Sequence, residues 1–215
     1  MKRLACSLVM ILVMMAVTSE WLQAAQRNLE RQVRRMKNFL QIPSDDAVRK
    51  RLPKGLEFIP NIAYREGNSR AWRLDLVMPK DQEGPPRPAL VFVHGGGWRS
   101  GDKRRGYFLH GAIEYAQKGY VCITVNYRLS DEAPFPACVE DVKCAVRWLR
   151  AHAKKYHVDP NRIGGYGNSA GAHLVAMLGL VPPEAGLEGD GPYQDQSSRL
   201  QAVCASAIPT DFSDW

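Results

Sequence analysis

The sequence lacks the marks of several common classes of protein. Gly95-Gly-Gly97 is followed by Trp98, not by the Lys-Ser or Lys-Thr pair of a phosphate-binding loop, and no dinucleotide fingerprint is present. No cluster of histidine, cysteine and carboxylate residues has the spacing of a metal site. We therefore expect no cofactor and no metal.

Cysteine is present in small number and gives no disulfide framework. Cys138 and Cys144 are predicted to share one helix, and their separation of six positions places their Cα atoms about 9 Å apart, too far for a disulfide. Cys122 and Cys204 lie in apolar, strand-like runs. We expect buried free thiols at these four positions.

The apolar run near the N-terminus is too short to span a bilayer. It extends from Leu4 to Val17, follows two basic residues and precedes Ala24-Ala25, whereas a spanning helix needs roughly 20 apolar residues. This layout predicts a signal peptide over residues 1–25 and a secreted or periplasmic protein. A retained membrane anchor is the alternative.

Excess charge is confined to one segment. The net charge of +7 comes mainly from residues 27–54, which hold nine basic and three acidic side chains, whereas residues 55–215 hold 18 of each. The larger part of the chain is thus neutral, and we expect no nucleic-acid partner.

Residues 26–54 are interpreted as a basic amphipathic leader. Leu29, Val33, Met36 and Leu40 recur at helical spacing in an Arg-rich stretch. Such a helix can be solvated, docked on the domain or part of a linker. It can also contact an anionic surface or membrane through residues 27–54, and the sequence leaves both interpretations open.

Residues 55–215 have the pattern of an α/β domain. Two extended segments, 56–64 and 71–78, joined by Glu66-Gly-Asn-Ser69, predict an antiparallel hairpin. Short apolar strands and helices then alternate, which is typical of a parallel sheet with helices on both faces. The predicted strands are 89–93, 121–127, 163–166 and 200–208, and the predicted helices are 107–118, 137–155 and 170–180.

Gly167-Asn-Ser-Ala-Gly171 lies between a predicted strand and a predicted helix. This is the setting of a nucleophile elbow, in which flanking glycines allow a turn so sharp that the serine hydroxyl projects from the backbone. Ser169 is therefore the candidate catalytic nucleophile. The alternative is a structural turn with Ser169 as the helix N-cap.

A glycine-rich loop follows the strand that begins the parallel part of the sheet, 75 residues before Ser169. Consecutive glycines expose backbone N–H groups that can stabilise the oxyanion formed when an ester carbonyl is attacked. We predict three donors of such an oxyanion hole: Gly96, Gly97 and Ala170. The supporting residues of this loop are His94, Gly95 and Trp98, of which His94 is expected to orient the loop, not to act as a base.

These segments resemble the hormone-sensitive-lipase-like and feruloyl- or acetyl-xylan-esterase-like (BD-FAE-type) carboxylesterases of the α/β-hydrolase superfamily. The resemblance covers about residues 56–215. It implies an α/β-hydrolase sheet and hydrolysis of small-molecule or carbohydrate-linked esters without a cofactor. The matching segments are Val93-His-Gly-Gly-Gly-Trp-Arg-Ser-Gly-Asp-Lys103, Asn126-Tyr-Arg-Leu129, Phe135-Pro-Ala137 with Glu140-Asp141, Asp159-Pro-Asn-Arg-Ile163, Gly167-Asn-Ser-Ala-Gly171 and Pro209-Thr-Asp-Phe212.

The acid and the histidine of the triad should follow the serine in this family. His173 follows Ser169 but lies four residues further on, so we expect it to pack against the sheet as a structural residue. Asp211 and Asp214 are weak candidates for the acid, because the family pattern ends its sixth strand there. We therefore expect a truncated domain without its last strands, triad Asp and triad His. A non-catalytic binding protein of the same fold is the alternative.

Overall fold

The computed structural model describes residues 21–34, 36–37 and 41–213, which fall into two compact units dividing after Gln41. In the first unit, residues 21–34 and 36–37 are helical and exposed. Among the described helices, none is long and apolar enough to cross a membrane. Most of the predicted signal peptide lies outside the described residues, as does Leu40 of the predicted amphipathic face, so the signal peptide stays a prediction.

The second unit is built on a six-stranded mixed sheet. Its strands are β1 (Leu56–Ala63), β2 (Arg73–Pro79), β3 (Arg87–Val93), β4 (Val121–Val125), β5 (Val158–Asn168) and β6 (Ala202–Ser206). Its α-helices are α1 (Asp45–Arg51), α2 (Tyr107–Gln117), α3 (Ala137–Ala151) and α4 (Ala170–Leu180). The strand order is β1-β2-β4-β3-β5-β6. β1, β2 and β4 pair antiparallel, and β4, β3, β5 and β6 pair parallel, which confirms the predicted hairpin and parallel strands.

Helices cover both faces of this sheet, as predicted. Successive strand residues point to opposite faces, so Leu76 belongs to the core formed with α3 and α4, whereas Val77 belongs to the core formed with α1 and α2. The residues of β4 are buried along their whole length. Burial on both faces explains why the central strands read as continuous apolar runs.

Most elements differ from their predicted bounds by at most two residues at either end, and two differ by more. β5 begins at Val158, five residues before the predicted start. The prediction missed this part because residues 159–162 are polar residues and a proline, partly or fully exposed, and do not continue the apolar pattern. α3 ends at Ala151 and not at residue 155, because the chain forms turns after Ala151 that lead to β5. The helix after the elbow, α4, has the predicted bounds.

The cysteine prediction is wrong at one position. Cys122, Cys138 and Cys144 are buried free thiols, but Cys204 is an exposed one. Cys204 lies in β6, the edge strand of the described sheet, where most side chains are exposed. An apolar run predicts a strand here, but whether that strand is covered depends on its neighbours.

Candidate active site

Ser169 occupies the turn between β5 and α4, with φ of 54° and ψ of −122°. A positive φ is unfavourable for a residue with a side chain and persists where the surroundings hold it. Here the Ser169 N–H donates to Ser206 O at 2.9 Å, and its carbonyl accepts from His173 N at 3.1 Å. Ser169 is the N-cap residue of α4, as in the structural alternative, but its side chain makes no capping hydrogen bond.

Both glycines of the elbow are required by close backbone contacts. A Cβ atom at Gly167 would lie 2.1 Å from Gly171 O, and one at Gly171 would lie 2.1 Å from Val93 O. These separations are far inside van der Waals contact. The turn can therefore close against the end of β3 because neither position carries a side chain.

The glycine loop after β3 lies directly against this elbow. A Cβ atom at Gly95 would be 2.5 Å from Asn168 O and 3.3 Å from Ser169 Cβ. Gly96 has φ of 126°, and a Cβ there would lie 2.0 Å from Ser100 O. The tertiary structure thus brings together the two segments that are 75 residues apart in the sequence.

The three predicted oxyanion donors lie at these two segments. Among the described loops and turns, the Gly96 carbonyl accepts from Arg99 N and Ser100 N, both at 3.1 Å, whereas the N–H groups of Gly96 and Gly97 donate no hydrogen bond. Ala170 is the first residue of α4, where N–H groups have no intrahelical acceptor. The oxyanion hole itself stays a prediction.

His94 is buried beneath the glycine loop. Its ring stacks on Tyr127 with centroids 4.4 Å apart, and its Nδ1 lies 2.9 Å from Gly95 O, an acceptor that requires the Nδ1–H tautomer. Its own carbonyl accepts from the Tyr127 hydroxyl at 2.8 Å. Burial lowers the pKa of His94 to about 4, so the ring is neutral at pH 7. This geometry suits a residue that orients the loop.

A cluster of buried charges anchors the far end of the loop. Asp75, fully buried in β2, has its Oδ1 atom 3.0 Å from Arg104 Nη2 and 3.2 Å from Lys103 Nζ. The Lys103 N–H donates to Asn126 Oδ1 at 2.6 Å, and the Arg104 N–H donates to Asp102 Oδ1 at 2.9 Å. Sequence reasoning missed Asp75. The feature of the sequence that could have pointed to it is a carboxylate inside the apolar run of β2.

A cavity of about 890 Å³ opens beside the glycine loop. Its wall is mostly aromatic and apolar, with two arginines. Ser169 is not one of the ten lining residues, although Gly97 and Trp98 are. The lining residues are Gly97, Trp98, Arg99, Arg128, Ser130, Ala133, Phe135, Cys138, His173 and Phe212.

The prediction that His173 packs against the sheet is wrong. His173 is half-buried in the cavity wall, with its ring centroid 5.4 Å from that of Trp98 and 5.5 Å from that of Phe212. Leu174, Val175 and Leu178 occupy the sheet-facing side of α4 instead. Burial lowers the pKa of His173, and its Nδ1 has no hydrogen-bond partner among the described residues.

The aspartates near the end of the chain do not form a triad with a described residue. Asp211 is exposed and accepts from Ser213 N and Ser213 Oγ at 2.9 and 2.7 Å, contacts that lower its pKa. Asp214 lies outside the described residues. Within residues 21–34, 36–37 and 41–213, no histidine side chain hydrogen-bonds to Ser169, and no group of metal-ligating residues could hold a metal ion.

The strand order and the strand–turn–helix elbow define an α/β-hydrolase. The BD-FAE family profile matches residues 74–215, more than half of the chain. The chain therefore belongs to the BD-FAE family, and the predicted resemblance is confirmed.

Known relatives agree with this assignment. Esterase LipC of Mycobacterium tuberculosis is 35% identical over 149 residues, which cover 69% of this chain and 36% of LipC. A truncated form of a carbohydrate esterase from gut microbiota is 27% identical with a TM-score of 0.64, over 80% of this chain and 61% of that one. Thermogutta terrifontis esterase 2 is 32% identical with a TM-score of 0.57, over 70% of this chain and 54% of that one.

This chain spans about a third of the length of the curated relatives it matches, with 36%, 35% and 31% of three mycobacterial esterases covered. The part that the family profile matches, residues 74–215, contains both the glycine loop and the elbow.

Proposed function

We propose that this chain carries the nucleophile and oxyanion hole of a carboxylic-ester hydrolase. The observation that carries the proposal is the positive φ of Ser169, held between two glycines that tolerate no Cβ, with the glycine loop packed on the same turn. A structural turn does not need this strain, whereas a nucleophile elbow uses it to project the hydroxyl.

In the proposed reaction, Ser169 Oγ attacks the carbonyl carbon of an ester and loses its proton to a base. The carbonyl oxygen becomes an oxyanion that accepts hydrogen bonds from the N–H groups of Gly96, Gly97 and Ala170. Loss of one such donor costs about 3 kcal/mol of transition-state stabilisation in comparable sites. Collapse of the intermediate breaks the bond to the alcohol, and water then hydrolyses the acyl-enzyme.

The cavity beside the glycine loop suits the organic part of an ester substrate. Trp98, Phe135 and Phe212 supply apolar walls, and Arg99 and Arg128 supply polar groups. A volume of about 890 Å³ is in the range of small-molecule sites. We propose small-molecule or carbohydrate-linked esters as substrates, in keeping with the carbohydrate esterase among the structural relatives.

The base that takes the proton of Ser169 is not found among the described residues, so turnover is compared between forms of the chain. Turnover of a short-chain nitrophenyl ester is measured for the 215-residue chain, its Ser169→Ala variant and, where the reading frame continues past Trp215, the longer product. We expect Ser169-dependent turnover in the form that contains a triad base, and a loss of several orders of magnitude in the variant. Turnover equal in wild type and variant would refute Ser169 as the nucleophile.

A non-catalytic binding protein is the second candidate, favoured by the absence of a described histidine bonded to Ser169. It predicts that esters bind in the cavity without Ser169-dependent turnover in either form. Titration of intrinsic fluorescence with a non-hydrolysable ester analogue measures this binding, with Trp98 in the cavity wall as reporter and Trp98→Phe as control. Binding together with no Ser169-dependent turnover in either form would favour the binding protein, whereas Ser169-dependent turnover would refute it.

A further inference from the structure

The helix formed by residues 21–34 and 36–37 has opposite apolar and basic faces. At about 100° per residue, four apolar side chains fall within an arc of about 60°, and three arginines lie about 130° to 170° from its centre. We call these the apolar face and the basic face. The apolar face consists of Leu22, Leu29, Val33 and Met36. The basic face consists of Arg27, Arg31 and Arg34.

The apolar face is exposed. Leu22, Leu29 and Met36 are 71%, 61% and 58% accessible, and Trp21 at the start of the helix is 75% accessible. Isolated helices of this length are marginally stable in water, and most helices gain stability by burying such a face. A contiguous exposed apolar face bordered by charge is typical of an interaction site.

Charge identifies the kind of surface that this helix fits. Residues 27–37 contain five basic residues and one acidic residue, so the partner is anionic. A nucleic acid would contact the basic face and leave the apolar face in water. An anionic bilayer satisfies both faces, because apolar side chains enter the acyl boundary while arginines reach the phosphates.

We propose that this helix binds the surface of an anionic lipid bilayer and lies in the plane of the headgroups. The long arginine side chains flank the helix and extend toward the phosphates, while Leu29, Val33 and Met36 face the acyl chains. The proposal rests on described residues after the predicted signal peptide, among them Leu29, Val33 and Met36, and does not depend on ester hydrolysis by the second unit.

The test is binding of the full chain to vesicles of phosphatidylcholine with and without 30% phosphatidylglycerol, measured by co-sedimentation. One variant removes the basic face (Arg27→Gln, Arg31→Gln and Arg34→Gln), and another removes the apolar face (Leu29→Ser, Val33→Ser and Met36→Ser). The matched control removes three exposed charges of the second unit outside residues 27–54 (Lys80→Gln, Lys154→Gln and Arg162→Gln). All forms keep the apolar run of residues 4–17.

We expect binding to the anionic vesicles that falls about a hundredfold in the basic-face variant, since each basic residue near such a surface contributes about a factor of five. The apolar-face variant should lose at least as much, and the control should bind as wild type does. Salt at about 0.5 M should weaken wild-type binding. The proposal is overturned if the wild type does not bind or if it binds neutral and anionic vesicles equally. It is also overturned if both helix variants bind as tightly as the wild type.

Discussion

The turn that carries Ser169 and the helix formed by residues 21–34 and 36–37 are stabilised in different ways. The turn holds a serine with positive φ, which its own sequence disfavours, because β3, β6 and the glycine loop enclose it. The helix has favourable local periodicity, but its described side chains are exposed. One region is fixed by tertiary contacts and the other by local sequence, so substitutions in the two should have very different effects on the free energy of unfolding.

The largest effect is expected for Gly171→Ala. The new Cβ would lie 2.1 Å from Val93 O and 2.7 Å from His94 O, both backbone atoms that cannot move without separating α4 from β3. We expect a loss of about 4 kcal/mol in the free energy of unfolding, measured by denaturant titration. The control is Gly179→Ala in the same helix, where the nearest atom belongs to the side chain of Val203. Equal losses in both variants would contradict the explanation.

Asp75→Asn should be the next most destabilising. The substitution removes the buried carboxylate that pairs with Lys103 and leaves Arg104 with only a partly exposed carboxylate of α1. Breaking a buried ion pair in this way costs about 3 kcal/mol or more. Asp81→Asn removes an exposed carboxylate 3.4 Å from Arg87 and should cost less than about 0.5 kcal/mol. Chemical denaturation of the two variants gives the comparison. A loss of similar size in both would show that the cluster does not stabilise the loop.

A pH dependence should follow from His94. Because its pKa falls from 6.5 to about 4 on folding, the unfolded chain binds more protons between these values. The folded state therefore loses stability as the pH falls through this window, by up to about 3 kcal/mol at the acid end. Unfolding of wild type and His94→Gln at several pH values between 4 and 7 isolates this contribution. A parallel pH profile for the two proteins would contradict it.

Gly97→Ala should have a smaller effect than Gly171→Ala. Gly97 has φ of 60°, but a Cβ there meets no atom within 4 Å, so the cost is limited to about 1 kcal/mol for a left-handed residue. Gly96→Ala is the informative companion, because its Cβ would lie 2.0 Å from Ser100 O. In thermal unfolding, the midpoint temperature of Gly97→Ala should be closer to that of wild type than the midpoint of Gly96→Ala is. A lower midpoint for Gly97→Ala than for Gly96→Ala would show that the space at Gly97 is filled.

The smallest effect on stability is expected in the helix formed by residues 21–34 and 36–37. Val33→Ser changes a partly exposed side chain in a unit separate from the sheet, and such substitutions usually lie within about 0.5 kcal/mol. The free energy of unfolding of the second unit should be unchanged, as monitored by fluorescence. A loss above about 1 kcal/mol would show that this side chain supports the rest of the protein.

Sequence patterns predicted most elements because the central strands are apolar and short and the helices are amphipathic. The start of β5 was missed because its polar residues break that pattern. His173 was assigned to the wrong side of α4, since its neighbours Leu174 and Val175 occupy the sheet-facing positions. The role of Asp75 could not be derived from the chain order, because its partners Lys103 and Arg104 lie about 30 residues away in the sequence.

By itself, the sequence determined the α/β architecture, the strand–turn–helix position of Ser169, the glycines on either side of it and the amphipathic pattern of the leader. These follow from periodicity and from the conformational freedom of glycine, both of which are local properties. Tertiary structure decided which face of α4 carries His173, that Cys204 is exposed, and that the glycine loop packs on the elbow. Such features depend on contacts between distant segments, and local residue preferences do not encode those contacts.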